Sequence, residues 1–335
     1  EYNYTKRLLA NRQINKEINM EIFDGHIHLD SKFTLQKLEN DMGKNGVLGA
    51  IVMPNPIDES IFAKTDGTDV SVGGARIKFS RDGSGYYFEH ARELGLTPQA
   101  LDADYFYNLN KELIESCSGK DNIYPFVLLP CNRELASEIL KRLENDFKGR
   151  FFGLKFHPNA YSFGIHKAGF NHGNFNYDYP VIIHTGVTDY DKPENALKFA
   201  KQYGGKVCLA HSARFDEKTL KQIGRMPNVY IDISPSYYLS SVGQGTTQKV
   251  FDGQKFAGMS EEDLLKYLLR FVPEDRILAG SDAPFGSIKE LKSLAEKLQI
   301  SESLKQKIFS DNARSFCEPI KTSEFESGQE NMLGL

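Results

Sequence analysis

The chain has 335 residues, 40% hydrophobic and 26% charged, with 28 Gly and 13 Pro, a balance that excludes collagen, coiled-coil and disordered classes. Its net charge of -4, from 41 Lys+Arg against 45 Asp+Glu, gives no electrostatic reason to expect nucleic acid or an anionic membrane surface, so a small molecule is the default partner. The longest apolar runs, such as Val47 to Met53, fall far short of the roughly 20 residues that span a bilayer, and the first residues lack the apolar core of a secretory signal; a cytoplasmic protein is expected.

Residues 1–20 read as an N-terminal extension. The first strand is Glu21 to His28, followed by a helix from Thr34 to Lys44 and a strand from Val47 to Met53. An insertion over 54–102 carries Gly73-Gly74 and Asp82-Gly83-Ser84-Gly85, which suggest a hairpin or small cap. Alternation then resumes: strand Asn122 to Pro130, helix Arg133 to Lys148, strand Phe151 to His157, strand Val181 to Thr185, helix Pro193 to Tyr203, strand Lys206 to His211 and helix Arg214 to Arg225. Strand Asn228 to Ile233, helix Ser260 to Arg270, strand Arg276 to Ser281 and helix Ile288 to Leu298 complete the series. Residues after about 300 look like a terminal addition, ending in a polar tail at 317–335.

Eight strands alternating with helices predict an α/β protein whose parallel sheet closes into a (β/α)8 TIM barrel over 21–316, with long strand-to-helix loops and terminal extensions. Loops 54–102, 158–180 and 234–259 all follow C-terminal strand ends, where such barrels place their active sites. Tyr161, Phe163, Phe170, Phe175, Tyr177, Tyr237 and Tyr238 crowd two of these loops and would suit a cyclic or aromatic substrate. Four cysteines without a CxxC pair indicate buried thiols, not a disulfide or thiolate metal framework.

Five of the eight histidines fall at predicted strand ends: His26, His28, His157, His184 and His211. Strand alternation puts His26 and His28 on one face, and at the C-terminal rim of a barrel that face points inward. Two imidazoles on one spot, joined by His184 and by Asp282 just past the last strand, make a nitrogen and oxygen donor set for a divalent metal. Lys155, two residues before His157, faces the same way. His90, His166 and His172 read as surface or packing residues. Asp24 reads either as support for the metal histidines or as a turn residue, Asn312 as a fastener of the chain after the last strand or a helix cap, and Arg214 as a solvated helix start or, as the alternative, a contact to an anionic substrate.

The blocks Phe23-Asp24-Gly25-His26-Ile27-His28, Gly153-Leu154-Lys155-Phe156-His157-Pro158, Ile183-His184-Thr185-Gly186, Leu209-Ala210-His211-Ser212, Gly280-Ser281-Asp282-Ala283-Pro284-Phe285 and Asn312-Ala313-Arg314 resemble the amidohydrolase superfamily. The similarity is greatest to its amidohydrolase-related branch, which includes the aminocarboxymuconate-semialdehyde decarboxylase-like group. It implies one divalent metal, zinc by preference, on His26, His28, His184 and Asp282, with a second metal left open. It further implies His211 and Asp282 as the catalytic pair, and leaves Lys155 and His157 to the substrate; Lys155 could alternatively be carboxylated to bridge two metals. The activity expected first is hydrolysis of a C–N or C–O acyl bond by metal-activated water; the alternatives are non-redox decarboxylation and a small-molecule-binding barrel without turnover. Symmetry statistics leave a homo-oligomer open.

Overall fold

In the computed structural model, residues 20–56, 102–160, 164–169, 179–234, 256 and 259–318 are described, together with the backbone of 76–79 and 86–89. Eight parallel strands follow the chain: β1 (Ile22–Leu29), β2 (Val47–Pro54), β5 (Ile123–Leu129), β6 (Gly153–Phe156), β7 (Val181–Ile183), β8 (Val207–Leu209), β9 (Val229–Ile233) and β10 (Ile277–Ala279). They are hydrogen-bonded in that order, each to its successor. β3 (Arg76–Phe79) and β4 (Tyr86–Glu89) form the antiparallel hairpin that the glycine pairs of the insertion suggest.

The ring closes just past β10, where the Asp282 N–H donates to His26 O at 2.8 Å and the His28 N–H donates to Ala283 O at 2.7 Å. Close approach there requires Gly280, since a Cβ at that position would lie 2.6 Å from His26 Cβ. Asp282 itself adopts a left-handed conformation, φ 54°, which turns the chain directly after its bond to β1.

Helices cover the outside: α1 (Leu35–Asn45), α2 (Ala103–Ser116), α3 (Arg133–Phe147), α4 (Pro193–Tyr203), α5 (Glu217–Ile223), α6 (Glu261–Leu269) and α7 (Ile288–Lys297). Their starts follow from side-chain caps: Thr34, Asn132, Asp216, Ser260 and Ser287 each accept from an N–H of the first turn that would otherwise lack a partner. In α3 the stripe Leu135, Ile139, Leu143 and Phe147 is buried, as the four-residue spacing dictates. α2 had no counterpart in the sequence reading. Beyond α7 the chain continues as α8 (Glu302–Gln306) and α9 (Asn312–Cys317), with Ile308, Phe309, Ala313 and Phe316 buried, so residues 302–317 are packed structure.

Strand alternation sorts the core into two layers. Leu154, Phe156, Val181, Ile183, Val207, Leu209, Ile231 and Ile233 pack outward in the main core with helical residues such as Ile139 and Leu264. The intervening Ile182, Cys208 and Leu278 form an inner cluster with Phe23, Phe126, Ala313 and Phe316, so α9 packs into the barrel's inner core. Lys155 and Asp232 alternate with the outward residues of β6 and β9 and are fully buried. All four cysteines are buried free thiols, as expected. Asn312 fastens the chain near β10, its Nδ2 donating to Glu274 O at 2.7 Å and Ile277 O at 2.8 Å. Among the described residues no helix is long and apolar enough to cross a membrane. The seven loop aromatics, His90, His172 and the tail beyond 318 lie outside the described residues.

Candidate metal centre

β1 delivers His26 and His28 to one recess, where their Nε2 atoms stand 3.1 Å apart. Asp282 Oδ1 lies 3.7 Å from each of those nitrogens. The three residues are buried and their ligating atoms fall within 4.8 Å of one another, so they could hold a metal ion. Two imidazole nitrogens and a carboxylate fit a divalent ion. His28 is available as a neutral donor: burial first, then the charge of Lys155, holds its pKa well below 6.5.

His184, expected in the same set, does not join this group. Its Nδ1 lies 3.1 Å from His211 Nε2, while its Nε2 lies 3.5 Å from Asp191 Oδ2. His211 in turn carries its Nδ1 to 3.9 Å from Asp282 Oδ2. The expected residues therefore form two parts, a His26, His28 and Asp282 group and a His184 to His211 pair that reaches it through Asp282. His157 stacks its ring on His184, centroids 3.9 Å apart, and its Nδ1 accepts the Ala160 N–H at 3.1 Å.

Lys155 enters the recess from β6. Its Nζ is 3.1 Å from His26 Nε2, and burial brings its pKa down to about 8, with Asp232 and Asp282 pulling the other way. The ammonium is still the major form at neutral pH. Arg214, expected at a solvated helix start, is instead only 8% exposed. The reason is backbone: His211, Ser212, Ala213, Arg214 and Phe215 all have left-handed φ between 45° and 58°, and α5 begins only at Glu217. Such a run costs roughly 1–2 kcal/mol per residue and is retained only where surroundings hold it. Here the Asp232 carboxylate accepts the His211 N–H at 2.8 Å, and Ser212 Oγ donates to Asp232 O at 3.3 Å.

Asp232, to which the sequence reading gave no role, orients the centre. Its Oδ2 accepts from His26 Nδ1 at 2.8 Å and its Oδ1 from Ser234 Oγ at 2.8 Å. Burial raises its pKa, but His26 and these hydrogen bonds outweigh burial and keep the carboxyl below its usual value. An ionised Asp232 fixes the His26 proton on Nδ1 and leaves the Nε2 lone pair for the recess. The signal was readable: an Asp between Ile231 and Ile233 must point to the opposite face from its apolar neighbours. Asp24, by contrast, serves the backbone, with Oδ1 accepting the N–H groups of His26 at 3.1 Å and Ser281 at 2.8 Å. Phe285, 62% exposed, sets its ring edge-on to His28 at 5.9 Å.

Burial comes first among the causes that hold His28, His157, His184 and His211 well below their ordinary 6.5. Below about pH 6.5 the unfolded chain therefore binds more protons than the folded one, and stability falls as pH drops through that window. Asp24, pushed up to about 6 by burial, and Asp191 and Glu144, also raised by burial, oppose this, while His166, lowered by burial, adds to it, so five groups act against three. Chelator-treated protein should melt at a lower temperature at about pH 5.5 than at about pH 7.5 by differential scanning calorimetry. An unchanged or higher melting temperature at the acid pH would contradict neutral buried histidines.

The amidohydrolase family model matches residues 24–316. No curated protein matches the sequence. Among solved structures, a dihydroxybenzoic acid decarboxylase from a Polaromonas species, with bound manganese and 2-nitroresorcinol, is 15% identical and superposes with a TM-score of 0.53 over 89% of this chain and 97% of its own. A 2,6-dihydroxybenzoate decarboxylase from Rhizobium gives 15% identity and a TM-score of 0.53 over 90% and 99% of the two chains. A 5-carboxyvanillate decarboxylase from Sphingomonas paucimobilis gives 11% identity and 0.53 over 84% and 82%. At these identities the likeness shows the shared TIM-barrel fold. With the family model covering nearly the whole barrel and the histidine and aspartate blocks in place at its rim, the chain belongs to the amidohydrolase family.

Proposed function

We propose that this protein is a metal-dependent, non-redox decarboxylase of a small carboxylate-bearing molecule. The observation that carries the reading is Lys155: a fully buried ammonium at the metal group, 3.1 Å from His26 Nε2 and placed to pair with a substrate carboxylate. The buried guanidinium of Arg214 lies near enough to bear electrostatically on His184 and His211, and adds to the same preference for an anionic substrate. The three solved relatives act, by their names, on aromatic carboxylates, which supports this substrate class.

His26, His28 and Asp282 would hold one divalent ion, and His184, whose Nδ1 faces inward, remains the proposed fourth donor. A bound ion would supply Lewis acidity toward substrate oxygens. Manganese and zinc both suit this donor set. Lys155 pairs with the substrate carboxylate. His157, stacked on His184, walls the same side of the recess. The carbon–carbon bond breaks with its electron pair left on the ring carbon, CO2 departs, and a proton delivered to that carbon by the His211 and Asp282 pair replaces it.

Hydrolysis is the second reading. The specific observation in its favour is that His211 stands neutral beside Asp282, and a neutral imidazole accepts a proton from water more readily than it donates one to carbon.

A screen of hydroxybenzoates, lactones and amides separates the two. Decarboxylation predicts that carboxyl-13C substrate releases labelled CO2 and that, in D2O, one deuterium appears on the ring carbon. Retention of the carboxyl label with 18O gained from water would reject it in favour of hydrolysis.

A further inference from the structure

Asp191 lies in the loop between β7 and α4, seven residues past His184, and no motif marks it. It is 2% exposed. Its Oδ1 accepts from Thr188 N at 2.8 Å and Thr188 Oγ1 at 2.7 Å, and its backbone oxygen accepts the Gly186 N–H at 2.8 Å. Oδ2 is thereby left facing His184 Nε2 at 3.5 Å, its only ion-pair partner within 4.0 Å among the described residues. The chain makes room for this carboxylate: a Cβ on Gly186 would lie 2.1 Å from Oδ2.

Tying down a six-residue loop does not need a charge, and burying a carboxylate costs several kcal/mol. Hydrogen-bond polarity shows what the charge does. A carboxylate only accepts, so the nitrogen facing it carries the proton, and His184 is the Nε2–H tautomer. Its Nδ1 lone pair is then on the inner side of the ring, where His211 Nε2 lies 3.1 Å away.

We propose that Asp191 is a positioning residue that holds His184 as the Nε2–H tautomer, so that its Nδ1 lone pair is turned away from the loop and toward the recess. The proposal rests on the reading of the recess as a metal centre only for its affinity arm.

Asp191→Asn provides a test with an opposite-sign outcome. The Asn oxygen must remain at the Oδ1 position, because two Thr188 donors point there, so its NH2 falls where Oδ2 was. That group donates to His184 Nε2, forcing the His184 proton to Nδ1.

In metal-free protein labelled with 15N-histidine, long-range 1H–15N spectra should show the Nε2–H pattern for His184 in the wild type and the Nδ1–H pattern in Asp191→Asn. Titration with Mn2+ alone should show affinity reduced about 10- to 100-fold in the variant. Thr188→Val, which weakens the loop tie and keeps the carboxylate, should retain the wild-type tautomer. An unchanged tautomer in Asp191→Asn, or the same inversion in Thr188→Val, would overturn the proposal. A wild type that binds no Mn2+ would instead strike the metal reading, while the tautomer spectra still decide the role of Asp191.

Discussion

Replacing both His26 and His28 by alanine should abolish turnover, lowering kcat/KM by at least about 10³-fold, equivalent to about 4 kcal/mol of transition-state stabilisation. The magnitude follows from what leaves together. Both imidazole nitrogens that converge at 3.1 Å are lost, so the three-residue donor group with Asp282 no longer exists. His26→Ala also removes the donor to Asp232 Oδ2, but that carboxylate keeps the His211 N–H and Ser234 Oγ. The stability cost should therefore be a few kcal/mol, in the range of a buried truncation, and circular dichroism should still show a folded barrel. A folded double variant with activity near that of the wild type would reject the site.

Lys155→Met is the second large effect, and its signature differs. A charged hydrogen bond is worth about 1.5–3 kcal/mol, so losing the pairing with a substrate carboxylate should raise KM about 10- to 150-fold. Metal binding should persist, because Lys155 is not among the donors. Stability should rise. Burial lowers the Lys155 pKa from 10.5 to about 8, which means that the folded state holds the charged form at a cost for all pH values below about 8; methionine fills a similar volume without it. Loss of metal together with activity would instead make Lys155 part of the metal site, as a carboxylated bridging lysine requires. A KM unchanged in Lys155→Met would remove the argument for an anionic substrate.

Much of this site is legible because strand period and strand order are local signals with global consequences. His26-Ile27-His28 states by its spacing that two rings share a face, and an aspartate just after the eighth strand must return to the first when a barrel closes. The closure bonds from Asp282 and Ala283 to β1 realise that reasoning. Asp232 and Asp191 were missed for a different reason. Their partners are set by tertiary geometry, His26 from a strand 206 residues away and His184 across a loop whose path no periodicity encodes. Arg214 was misplaced because a helical pattern was extended through residues that form a left-handed turn, a conformation that Ser, Ala and Arg do not advertise. The packing of Ala313 and Phe316 into the inner core was missed as well, since a short helix carries too few turns to show which face is buried.

Supporting carboxylates thus divide the work. Asp232 orients His26, Asp24 pins the β1 backbone to the segment after β10, and Asp191 faces His184. Each is buried and held by hydrogen bonds, which is how a barrel rim keeps imidazole lone pairs aimed at one recess.

The account turns on whether that recess takes a metal ion. Calorimetric titration of chelator-stripped protein with Mn2+ and Zn2+, in the wild type and in the His26→Ala/His28→Ala variant, tests this directly. One equivalent bound by the wild type and none by the folded variant is the predicted result; equal binding by both, or none by the wild type, would contradict it.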